Sequence, residues 1–144
     1  MPATPVSALM SPGTYLARRR AAAGLEVEDV ALRVETTPYP MTLRDRVAWL
    51  RDIERDVVPL TISTAVALRQ LFPFSGEVLV QLAACAEQPG RPAPRLCRIC
   101  ASCHPSEFCG AALEGAWEAD DLCPSCADEQ RFAAAHHCAG QAAA

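Results

Sequence analysis

Two cysteine knuckles constrain this chain more than any other feature. They are Cys97-Arg98-Ile99-Cys100 and Cys123-Pro124-Ser125-Cys126, with 22 residues between them. A CxxC turn places two thiols on one tight loop, and two such turns supply four soft ligands for a tetrahedral site. That chemistry suits Zn²⁺, although the same four thiolates would also serve iron in a rubredoxin-like site. A segment of about 40 residues buries too little apolar surface to fold unaided, and a structural metal is a common remedy. The expected ligands are Cys97, Cys100, Cys123 and Cys126. Cys103 competes with them, because Cys100-Ala101-Ser102-Cys103 is also a CxxC. Cys109 and His104 lie within reach of the same loop. His136, His137 and Cys138 could join Cys103 and Cys109 in a second site.

The chain has eight cysteines, an even number that would also permit a disulfide framework in a secreted protein. The segment Met1–Arg20 lacks a basic start followed by an apolar core, so no secretory signal is read there. No stretch approaches the roughly 20 apolar residues that span a bilayer. The expectation is a cytoplasmic chain whose thiols hold metal.

Punctuation along the chain predicts a mostly α protein with two parts. Residues 1–10 read as a tail, 11–88 as a helical domain, 89–95 as a Pro-rich linker, 96–137 as a metal-binding module and 138–144 as a tail. Ser11-Pro12 reads as N-cap and first helical position, and Gly24 as the matching C-terminal cap. A second helix is expected from Val27 to Val34, with Val27, Val30, Ala31 and Val34 on one face. Thr42 with Asp45 opens a third helix carrying Leu43, Val47, Leu50 and Ile53. A fourth is expected from about Ser63 with Val66, Leu68 and Leu71. Phe72-Pro73-Phe74 reads as a turn, after which Ser75 caps a fifth helix over Glu77–Glu87. There Cys85 sits among Ala and Leu as a small core residue. A last helix is expected to start near Pro124.

The string Tyr15-Leu16-Ala17-Arg18-Arg19-Arg20-Ala21-Ala22-Ala23-Gly24-Leu25 through Val30-Ala31 resembles the opening of a lambda-repressor-like, Xre-type helix-turn-helix domain. Ile53-Glu54-Arg55-Asp56 is similar to the "IExG" signature that closes the third helix of that family, with Asp56 where Gly is usual. The resemblance covers roughly residues 12–86 and implies a five-helix domain whose third helix enters the major groove. It points to Thr42, Arg44, Arg46 and Arg51 as DNA-contacting residues. The stretch between Ala31 and Ile53 is longer than the family pattern and contains Pro38 and Pro40.

Charge pulls the other way. All 13 basic residues are Arg, a usage that accords with codon bias in a GC-rich genome and not by itself with phosphate recognition. Residues 1–96 carry 11 Arg against 10 acids, a net of +1, a weak basic footprint for a DNA-binding domain. The alternating signs between Arg44 and Asp56 equally describe a solvated helix face. From Cys97 onward 2 Arg face 7 acids, a net of −5, and four metal-bound thiolates add about −2. Such a module repels a phosphate backbone, which argues against a DNA-reading finger and for a protein contact or self-contact.

The order Cys97-Arg98-Ile99-Cys100 … Trp117 … Asp121-Leu122-Cys123-Pro124-Ser125-Cys126 resembles a small module of uncharacterised phage and prophage proteins that reads "CRxCGCT … AC … GCSW … DLCSxC". That resemblance implies a viral or prophage origin and carries no established activity. Trp117 reads as the packing anchor of the module. No HExxH, phosphate-cradling Gly loop, GxSxG or deaminase spacing is present, so a non-enzymatic role is expected. Two functions remain in view. One is a DNA-binding transcriptional regulator with a structural zinc module. The other is a protein-interaction adaptor that binds a host factor and never touches DNA.

Overall fold

The structure, a computed structural model, describes residues 9–35, 37–102, 117 and 121–141, with side chains in the last helix up to residue 135. The chain divides into two compact units, Met1–Pro94 and Arg95–Ala144. The described residues form six α-helices and no β-strand. None of these helices is long and apolar enough to cross a membrane.

Five helices build the first unit: α1 (Pro12–Ala22), α2 (Val27–Arg33), α3 (Leu43–Glu54), α4 (Ile62–Arg69) and α5 (Gly76–Glu87). Their starts are set by side chains that accept from orphan backbone N–H groups. Ser11 accepts from Thr14 N at 3.1 Å, Thr42 from Asp45 N at 3.2 Å, Thr61 from Thr64 N at 3.2 Å and Ser75 from Val78 N at 3.3 Å. At α2 Glu26 and Asp29 form a capping box, in which the Glu26 N–H donates to Asp29 Oδ2 at 2.9 Å. Gly24, at φ +73°, closes α1 in the left-handed region that favours glycine.

The core of this unit gathers Tyr15 and Leu16 from α1, Val27, Val30 and Ala31 from α2, Trp49, Leu50 and Ile53 from α3, and Val78, Leu79 and Leu82 from α5. Each large side chain removed from water stabilises the fold by about 1.5–3 kcal/mol. Phe72 and Phe74 are buried with ring centroids 5.4 Å apart, so the segment read as a turn also contributes to the core. Cys85 is buried on the inward face of α5.

Polar groups tie the helices together. The Arg20 guanidinium grips Glu54 at two points, Nε to Oε1 at 2.6 Å and Nη2 to Oε2 at 2.9 Å, and donates from Nη1 to Leu25 O at 2.7 Å. Glu54 thereby holds Arg20 above its ordinary pKa, against the opposing effect of burial. The fully buried Arg19 donates to Pro73 O at 3.2 Å, and the Tyr15 hydroxyl accepts from Ser75 N at 2.8 Å. α1 thus pins the start of α5.

Two expected core positions lie at the surface. Leu43 is 42% exposed and Val66 57% exposed, while Trp49, outside the expected stripe, is buried. The first turn of α3 is exposed on all sides from Thr42 to Asp45, so Leu43 has nothing to pack against. Val66 faces a groove described below.

Candidate functional site: a four-cysteine metal centre

The second unit is organised around four buried thiols. Cys97, Cys100, Cys123 and Cys126 place their Sγ atoms within 4.8 Å of one another. Cys100 Sγ and Cys123 Sγ are 3.7 Å apart. Four thiolates at about 2.3 Å around one ion stand about 3.8 Å from each other, so this spacing fits a tetrahedral metal–thiolate site. None of the four is joined in a disulfide.

Local backbone makes the first knuckle. Ala101 N donates to Cys97 O at 2.8 Å and Cys97 N to Ser102 O at 3.0 Å, closing the turn. The chain leaves it through Ala101 at φ +56°, a left-handed conformation that costs a side-chain-bearing residue roughly 1–2 kcal/mol. A fully buried alanine takes that conformation here. The second knuckle is the first turn of α6 (Pro124–Gln141). Pro124 suits the first helical position because its missing N–H would be an orphan there. The free N–H groups and positive end of that helix favour thiolate charge.

The two knuckles are latched together. Arg98 N donates to Asp121 O at 2.7 Å, and Arg98 Nη1 meets Asp121 Oδ1 at 2.6 Å. That ion pair is about half exposed and contributes at most about 1 kcal/mol. Leu122, Ala127 and the half-buried Trp117 pack around the sulfurs. The Arg95 guanidinium lies 4.3 Å from the Trp117 ring centroid. Sequence reasoning missed both Arg95 and Arg98, whose roles depend on partners brought close only by the fold.

Hydrogen bonding sets the thiols apart. Donation from the Cys100 thiol, then from the N–H groups of Cys123, Cys100 and Ile99, holds Cys97 down to about 4 against its burial. Burial, with the Cys123 hydrogen bond behind it, pushes Cys126 up to about 12. Cys97 therefore favours its thiolate while Cys126 holds its proton, which a bound cation would displace.

The competing ligands Cys103, Cys109 and His104 lie outside the described residues, as do the side chains of His136, His137 and Cys138.

The four residues expected on DNA divide into two kinds. Thr42 and Arg44 are exposed at the start of α3. Arg46 turns inward and donates from Nη1 to Ala31 O at 3.1 Å and Val34 O at 3.4 Å, satisfying carbonyls at the end of α2. Arg51 pairs with Glu28 of α2 at 2.7 Å in an exposed ion pair. Comparison with family models, curated proteins and solved structures finds no match to this chain.

Proposed function

We propose that the protein is a phage-type DNA-binding regulator. Its helical unit would contact duplex DNA through the start of α3, and its acidic second unit would be held together by one structural Zn²⁺ on Cys97, Cys100, Cys123 and Cys126. The observation that carries the DNA reading is the exposed first turn of α3, with Thr42 and Arg44 outward. Behind it, Arg46 and Arg51 brace α3 against α2. A helix held from behind with its N-terminal turn in water is how groove-reading helices are presented. All-sulfur, buried ligation favours Zn²⁺ and a closed structural site.

The test is duplex binding by the zinc-loaded chain followed by anisotropy over a salt series. Binding should weaken steeply with salt, and Arg44→Ala should weaken it further and flatten the logarithmic salt slope by about one. Absence of binding at low salt would sink the DNA reading and leave the adaptor. The adaptor draws support from the formal neutrality of the helical unit, which has 10 Arg and 10 acids over Met1–Pro94.

A further inference from the structure

An apolar groove of about 620 Å³ runs along the helical unit between α4 and α5. Its floor is core: Leu16, Ile53 and Phe74 are each at most 3% exposed. Its walls are not. Ile62, Val66 and Val80 are 85%, 57% and 69% exposed, and all three line the hollow. The charged residues of the lining, Asp56, Arg69 and Glu87, are all exposed. Charge therefore stands at the rim, and the interior suits an occupant that carries none. The start of α1 borders the groove, because Pro12 and Gly13 belong to the same lining.

We propose that this groove seats the chain's own N-terminal segment, residues 1–8, as an apolar strap across α4 and α5. Those residues lie outside the described ones; their sequence, length and point of attachment select them. The first charged residue of the chain is Arg18. Met1 to Met10 comprise six apolar residues, two prolines, and Thr4 and Ser7 as the only polar side chains. Segments that stay in water are typically charged and poor in apolar residues, and this one has the opposite composition. Pro2 and Pro5 fix their own φ and carry no N–H, so less freedom is lost and fewer donors need partners on an apolar floor. Length agrees as well. Eight extended residues reach about 26 Å. The part of α5 that lines the groove runs from Gly76 to Glu87, about 16 Å at the helical rise. Only Leu9, Met10 and Ser11 separate the segment from Pro12 of the lining. So short a tether holds an occupant at roughly millimolar effective concentration, which places it ahead of a second copy or a free molecule.

Urea unfolding of the full, metal-loaded chain, read by circular dichroism beside binding of the apolar-surface dye ANS, tests the proposal. Deleting residues 2–8 leaves the Ser11 cap in place. It should lower the unfolding midpoint and raise the dye signal by about twofold or more. Val6→Asp should do the same at full length. Val66→Asp should lower the midpoint of the full chain and leave that of the deleted chain nearly unchanged, because its carboxylate loses water only beneath the strap. Val80→Asp reads the same groove should Val66→Asp lose its helical circular dichroism. Leu32→Asp, at a position 65% exposed outside the groove, should act alike in both chains. Equal midpoints and dye signals for the full and deleted chains overturn the proposal, as does a Val66→Asp shift of the same size in both. Sedimentation and native mass complete the test. A dimer of the full chain that Val80→Asp breaks, or a small molecule retained by the full chain and lost on Val80→Asp, would put another occupant in the groove and overturn the strap. No DNA enters these measurements, so failure of the DNA reading would leave their outcome untouched.

Discussion

Gly13 is where two physical rules give opposite signs. It lies in the first turn of α1, where helix propensity favours alanine over glycine by up to about 1 kcal/mol. Yet a Cβ built there would stand 2.5 Å from Ile53 O and 2.6 Å from Glu54 O. Those neighbours are backbone at the end of α3 and cannot swing aside. Gly13→Ala should therefore destabilise the helical unit by about 2–4 kcal/mol in urea or thermal unfolding. An unchanged or raised midpoint would mean that the two helices part more easily than their packing implies. The same junction explains Asp56. The sequence shows only an Asp where the resembling family has Gly. The structure places it at φ +59°, with Oδ1 accepting from Gly13 N at 2.8 Å. An Asp tolerates the left-handed conformation and caps α1 at the same time. That role was illegible in sequence because its partner lies 43 residues away.

At the scale of elements, what the sequence disclosed were the local signals. Ser11, Thr42 and Ser75 stand at their helix starts because capping is decided within three residues. The inward face of α2 follows the expected period, since Val27, Val30, Ala31 and Val34 are all buried. The period failed at Leu43 and Val66, where helices have a face but no neighbour to bury it. Arg46 is the clearest case of a residue whose type suggests one role and whose surroundings give another. Its guanidinium closes the end of α2, and two hydrogen bonds from a charged group contribute about 1–2 kcal/mol when so placed. Arg46→Ala should lower the unfolding free energy by that amount and speed proteolysis within residues 34–42. Arg44→Ala, at an exposed position, should change stability by less than about 0.5 kcal/mol. Comparing the two variants in one unfolding series separates bracing from display.

The whole molecule joins two units whose stability has different sources. The helical unit rests on a contiguous apolar core, the second on sulfurs a few ångströms apart. The two knuckles were the most legible part of the site, because CxxC spacing is a local signature. The Arg98–Asp121 latch depends on which loop segments meet. Chelation of the full chain should abolish the ordered packing around Trp117 and part of the α6 helicity, while the urea transition of the helical unit persists. Native mass with and without chelator, read beside circular dichroism, checks this. The pH dependence has a definite sign. An unfolded segment holds its thiol protons below about 8.5, and the metal-bound state holds none. Stability of the metal-bound module therefore rises with pH through neutrality and falls on acidification. The chain has two tryptophans, and the fold allots one to each unit: Trp49 sits in the core of α3, and Trp117 rests against the cysteines beneath Arg95. Nature has in effect given each half its own lamp, so the intrinsic emission of the unlabelled protein can report which half has opened, with Trp117→Phe leaving the helical unit to glow alone.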